Sequence, residues 1–234
     1  MRKSISIIAI CLFLIGSASA QKSKPWTEWS KKDADKMLND SAWAQSQTKG
    51  EAPPAMDKNP NAGRDTNAGP SSNPVSTEYN IRVRFASAKP IREGLARRIV
   101  LSQPEKASEL TGQLQPIVDK GFGDFIVVAV NVEAQDSRIA NGYLMGLARL
   151  TPAMLAGKVY LERKDGKRLE LLEYKTPIAD GMGGKFIFPR TLDGKPFLAA
   201  DSDSVRFVLN LSDKMKVDAK FKVSGMMYGD MLEY

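Results

Sequence analysis

Histidine is absent from all 234 residues, and the single cysteine, Cys11, lies in a short apolar run near the start of the chain. Without imidazole there is no His-based acid–base catalysis, no Ser-His-Asp or Cys-His nucleophile and no His-ligated haem. Nearly all zinc sites go with it. Beyond Cys11 there is no thiol for a disulfide, a thiolate nucleophile or an iron–sulfur cluster. No residue set calls for a cofactor or a metal. No apolar run reaches the roughly 20 residues of a membrane helix. Tryptophan is scarce too: the chain has three, Trp26, Trp29 and Trp43, all in one short stretch.

What is present begins with a secretory pattern. Arg2 and Lys3 precede an apolar run from Ile5 to Ile15, and Ala18-Ser19-Ala20 forms an A-x-A cleavage site before Gln21. Residues 1–20 therefore read as a signal peptide, cut after Ala20, and its removal takes Cys11 away. A cysteine-free mature chain points to a bacterial periplasm, outer envelope surface or cell exterior, since a secreted eukaryotic domain of this size usually carries disulfides. The formal charge of +7 falls to +5 without Arg2 and Lys3. Lysine and arginine alternate with acidic residues and form no dense basic stripe, which excludes a nucleic-acid surface and leaves a solvated one.

The mature chain divides by composition. Residues 21–49 hold every tryptophan and read as a helical segment. Residues 50–77 contain Pro53, Pro54, Pro60, Pro70 and Pro74 among Gly, Asn, Ser and Ala. Such a stretch buries too little to offset its ordering entropy and reads as a flexible, disordered linker. Its coil-like reach is roughly 30 Å. Residues 78–234 then read as one β-rich domain. Ile81, Val83 and Phe85 alternate with Arg82 and Arg84, the signature of a half-buried strand. Pro90 opens a helix carrying Ile91, Leu95 and Ile99, and Pro104 ends it. A second helix carries Leu110, Leu114 and Val118, is kinked or split at Pro116 and is capped by Gly121. Residues 124–133 read as a central strand, and 139–150 as helix or loop. A hairpin turns at Asp165-Gly166, and three more strands follow, KFIFP, SVRFVLNL and AKFKVSGMMY. Seven short strands with one or two inserted helices specify an α+β, β-sandwich-like antiparallel domain, preceded by a short N-terminal helix.

In the tryptophan segment, Ser30 and Asp33 form a capping-box-like helix start, with Trp29 and Ala34 in staple positions. Met37 and Leu38 extend the apolar stripe. The segment W-x-x-W-S-K-K-D-A-x-K-M-L-N-D-S-x-W-A-Q, with a C-terminal L-E-Y, resembles a family of uncharacterised secreted bacterial proteins. In that family proline is expected before the last tryptophan, where this chain has Ala42. The resemblance covers most of the mature chain and implies secretion but no activity. Trp26, Trp29, Met37, Leu38 and Trp43 are the candidate binding residues. They serve either an intramolecular latch, held at high effective concentration by the tether, or a partner: another envelope protein or the envelope surface. Burying three indoles does not by itself offset the entropy of ordering about twenty residues, so the helix and its neighbours must contribute.

Carboxylate, Lys, Ser and Tyr chemistry remains open. The alternative to a non-enzymatic binding or scaffold protein is a carboxylate-dependent hydrolase acting on glycans, which needs two acidic side chains facing each other across a deep cleft. Glu162, Glu170 and Glu173 lie on the hairpin as solvent-facing carboxylates. Ser46-x-x-Lys49 matches S-x-x-K without its partner motifs. Asp201-Ser202-Asp203-Ser204 lacks the third spaced carboxylate of a calcium loop and reads as a polar turn. Gly181-Met182-Gly183-Gly184-Lys185 precedes a strand rather than a helix, and so reads as a loop rather than a phosphate cradle.

Overall fold

The computed structural model describes residues 24–50, 77–212 and 215–234. The signal-peptide reading of 1–20 lies outside them, as does the linker reading of 50–77 except at its two end residues. In chain order, a 3-10 turn at Trp26–Glu28 leads into α1 (Lys31–Asn39), β1 (Ala44–Lys49) and β2 (Tyr79–Phe85). Next come α2 (Lys89–Ser102), α3 (Ala107–Lys120), β3 (Phe125–Ala134), α4 (Ser137–Ala148) and the single turn α5 (Pro152–Leu155). The rest is β4 (Val159–Arg163), β5 (Arg168–Glu170), β6 (Glu173–Lys175), β7 (Gly184–Pro189), β8 (Thr191–Leu192), β9 (Lys195–Pro196), β10 (Ser204–Ser212) and β11 (Met215–Lys222). Two short strands follow, β12 (Met227–Tyr228) and β13 (Met231–Leu232).

Two antiparallel sheets form the sandwich, one in the order β1-β2-β3-β7-β6 and the other β11-β10-β4-β5. Period-two alternation decides which side chains meet. Along β11, Met215, Val217, Ala219 and Phe221 point inward between exposed Lys216, Asp218, Lys220 and Lys222. Phe221 meets Phe85 edge-on at 4.8 Å between ring centroids, and Phe207 meets Phe186 at 5.4 Å. The fold is thus α+β and sandwich-like.

All seven expected strands are present, and the additions have physical causes. Strand β1, Ala-Gln-Ser-Gln-Thr-Lys, has no apolar alternation, so it reads as the end of a helical segment. Its cohesion comes from hydrogen bonds. It pairs with β2 from Ala44↔Arg84 to Lys49↔Tyr79. Its Gln45 and Gln47 amides donate to the carbonyls of Lys220 and Asp218 on β11, Gln47 at 2.6 Å, tying the edges of the two sheets together. Strands β1 and β2, on either side of residues 50–77, therefore belong to the same sheet. Residues 50 and 77 touch: a Cβ added at Gly50, whose φ is +91°, would lie 2.3 Å from the Thr77 carbonyl oxygen.

Other corrections concern helices and one hairpin. Residues 137–148, within the stretch read as helix or loop, form α4, and among the described residues the inserted helices number four with α5, against the one or two expected. Helix α3 runs unbroken through Pro116 to Gly121, whose φ is +66°. The β4–β5 hairpin forms about Asp165-Gly166, but the chain then crosses over: β6 pairs with β7 in the other sheet.

Candidate functional site

The capping box forms as expected. The Ser30 hydroxyl accepts from the Asp33 backbone N–H at 3.2 Å, and the Asp33 carboxylate accepts from the Ser30 hydroxyl at 2.8 Å and the Ser30 N–H at 2.9 Å, which together hold that carboxyl below its ordinary range. The helix so started places the candidate residues in two clusters. Trp26 and Trp29 pack with Ala96 and Val100 of α2 and Val118 of α3. Leu38 and Trp43 enter the main core, and the half-buried Met37 touches both clusters. All three indoles are at most 7% exposed. Each ring N–H has an acceptor: Trp26 the Gln115 side chain at 3.0 Å, Trp29 the Lys24 carbonyl at 2.9 Å, and Trp43 the Glu233 carbonyl at 2.7 Å.

Two buried ionisable side chains, Arg84 and Glu93, lie beneath and beside the docked segment. Arg84, on the face of β2 expected to meet water, is 1% exposed because α1 covers it. Its guanidinium donates to the Leu38 carbonyl at 2.5 Å and the Asn39 side chain at 2.9 Å, which places a cation at the C-terminus of α1. Burial lowers its pKa to about 10. Glu93 on α2 accepts from the Tyr228 hydroxyl, whose ring meets Trp43 edge-on. Burial raises the Glu93 carboxyl, and the Tyr228 hydrogen bond opposes the rise. The L-E-Y end of the chain joins the same assembly. The Glu233 carboxylate accepts from the Lys89 N–H at 3.0 Å, at the start of α2, and Tyr234 is buried with its hydroxyl on the Leu198 carbonyl at 3.1 Å. The two ends of the sequence motif therefore meet in space at Trp43 and Glu233. Both are in use within the protein, and a partner would meet these indoles only after the segment lifts off.

The structure leaves a different surface open. Between the α2–α3 pair and the outer face of the five-stranded sheet lies a groove of about 540 Å³. Val127 and Met182 lie deep in it, each at most 3% exposed, while Leu95, Ile99, Leu114 and Ile117 form its helical wall. Ile99 and Ile117 are 41% and 63% exposed. The Gly181–Lys185 loop makes the opposite wall, and its glycines are required there. Gly183, at φ +75°, would put a Cβ 2.1 Å from the Val130 carbonyl oxygen. The loop is braced by Asp180, which accepts from the Met182 N–H at 2.9 Å and from Lys185 at 2.6 Å. In the sequence Leu95 and Ile99 read only as part of the apolar repeat of a helix. The missed signal is that α2 carries two apolar stripes, Ala96 and Val100 as well as Leu95 and Ile99, and a helix with two apolar faces has two surfaces to cover.

The acidic candidates do not converge. Glu162 binds Arg206 at 2.9 Å and Arg168 at 2.7 Å on the outer face of the four-stranded sheet. Glu170 is exposed on β5, and Glu173 sits on β6 paired with Lys175. In the shallow depression near Asp201, Asp203 is held by Lys164 at 2.7 Å. Arg163 beside Asp165 lowers that carboxyl to about 2. A general acid needs the opposite shift. Ser46 accepts from Arg82 at 3.0 Å on the exposed edge strand β1. Among the described residues, no group of three His, Cys, Asp or Glu side chains is placed to hold a metal, and no helix is long and apolar enough to cross a membrane.

No family model matches the chain, and no curated protein matches it. Among solved structures it is similar to a protein of unknown function from Burkholderia pseudomallei K96243. The two share 11% identity over 60% of this chain and 72% of that one, at a TM-score of 0.39. So distant a likeness carries no argument about the site.

Proposed function

We propose that this is a secreted protein of a bacterial envelope or cell exterior, related to the family its tryptophan motif resembles, that acts by binding and not by catalysis. Its ligand surface is the groove beside α2 and α3. The observation that carries this reading is an open apolar groove whose ionisable residues, Arg92, Lys120, Asp180 and Lys185, include no carboxylate pair. Apolar sites of roughly 300–1,000 Å³ with a few placed polar groups are the usual form of a small-ligand site. The secretory pattern of residues 1–20 and the absence of histidine support it further. The tryptophan segment is a latch in this reading, and another envelope protein or the envelope surface reaches it only in an opened state.

A neutral, polarity-sensitive dye such as Nile red tests the groove. The mature chain is expected to bind it with blue-shifted emission, and the Ile99→Asp/Ile117→Asp double variant to lose that signal while keeping its melting temperature. Dye binding that is absent, or indifferent to these substitutions, overturns the reading. So does hydrolysis of a polysaccharide that disappears when one carboxylate is replaced.

A further inference from the structure

Resting on the reading of the groove as a ligand surface, the chemistry of its lining narrows the ligand. No hydroxyl or carboxamide side chain lines the groove, and the only carboxylate, Asp180, is already engaged by Lys185 and a backbone N–H. A sugar would find no side-chain hydroxyl or amide partner. A peptide strand would find no sheet edge, because β3 and β7 are both interior strands. Aliphatic wall residues on successive turns of two helices suit a flexible hydrocarbon chain instead.

Charge at the rim supplies the other half. Three cations, Arg92, Lys120 and Lys185, line the groove against the one carboxylate. Lys120 is exposed and has no acidic partner among the described residues. Arg92 spends two donors on the carbonyls of Val118, at 2.9 Å, and Ser87, and its Nη2 lies beside Gly121, next to Lys120. Arg98, half-buried on the same helix, also lacks an acidic partner among the described residues and lies against Gly181. A hydrocarbon trough with surplus positive charge at its rim is complementary to an anion with a long apolar tail.

We propose that the groove binds a long-chain fatty acid. Its hydrocarbon chain lies along Leu95, Ile99, Leu114 and Ile117, and its carboxylate sits at the rim beside Arg92 and Lys120.

Isothermal titration of the mature chain with decanoate, laurate and myristate, each below its micelle concentration and with dodecanol as the neutral comparator, tests this. Affinity is expected to rise about fourfold per added methylene. Laurate is expected to bind more tightly than dodecanol, and Lys120→Glu to weaken laurate by about fivefold without changing dodecanol. Ile117→Asp removes both. Affinity independent of chain length, dodecanol binding as tightly as laurate, or laurate unaffected by Lys120→Glu each overturns the proposal. If Nile red binds the groove but no fatty acid displaces it, the fatty acid is excluded and the groove remains a ligand surface. If neither binds, both readings fail. A dimer of the mature chain that Ile117→Asp converts to monomer identifies a second copy as the occupant, and the proposal falls.

Discussion

Helices α2 and α3 carry apolar side chains on two sides, and the two sides are treated differently. On one, Ala96, Val100 and Val118 lie under Trp26 and Trp29, and each indole N–H has an acceptor. On the other, Leu95, Ile99, Leu114 and Ile117 face an open groove. Apolar character is similar on both. The difference is that the chain supplies a cover for the first side from its own N-terminal segment. Concentrating the tryptophans at residues 26–43 therefore serves stability. The open groove has no tryptophan, and its one aromatic side chain is the exposed Phe122.

The contrast is broken most sharply by removing the cover. Trp26→Ala should cost about 3–5 kcal/mol, the range for deleting a buried tryptophan, while Ile117→Asp on the open side should stay within about 0.5 kcal/mol. Urea denaturation of both variants checks the pair. Because all three tryptophans are buried and none lines the groove, the native chain should also show blue-shifted emission that acrylamide quenches poorly, and groove ligands should leave that emission unchanged. Arg84→Met comes next. It strips the Leu38 carbonyl and the Asn39 side chain of their donor beneath α1. A loss of about 1–3 kcal/mol is expected from a buried acceptor left unpaired. An unchanged unfolding midpoint would mean that the docked segment does not depend on this anchor.

How much of this was legible in the sequence depended on whether one element carried its own signal. Ser30 and Asp33 announced the start of α1 because a capping box is local. The alternation of Val205, Phe207 and Leu209 announced β10 because a half-buried strand writes period two into its residues. Strand β1 carried no such signal, since glutamine side chains reaching across to β11 hold it. Arg84 read as solvent-facing because the helix that covers it lies 45 residues earlier in the chain. The five candidate residues read as one undivided set, yet they fall in two clusters: nothing local separates Trp26 and Trp29, which lie over α2 and α3, from Trp43, which sits against Tyr228 and Glu233. The groove was invisible for the same reason. Leu95 and Ile99 have the spacing of any core stripe, and only the placement of the sheet shows that Leu95 is half-buried while Ile99 stays 41% exposed.

The two sides should also differ in their response to pH, and this is the smallest of the expected effects. Glu93 lies on the covered side of α2, in the stripe of Ala96 and Val100, and burial raises its carboxyl above the ordinary range. The folded protein thus holds this proton more tightly than the unfolded chain does. Its contribution to stability is fully present below the unfolded carboxylate range, near 4.5, and is lost as pH rises through the folded value. Asp33, Asp165 and Asp203, held low by hydrogen bonds, act in the opposite sense and lose stabilisation on acidification. The total slope mixes the two, so the informative quantity is the difference between the native chain and Glu93→Gln. Glutamine keeps an oxygen for the Tyr228 hydroxyl and removes the buried charge. The variant should be the more stable at pH 7, and the gap should close as pH falls toward 4.5. Parallel denaturation profiles across that range would mean that Glu93 titrates as an ordinary surface carboxylate, and that the covered side is no drier than the groove.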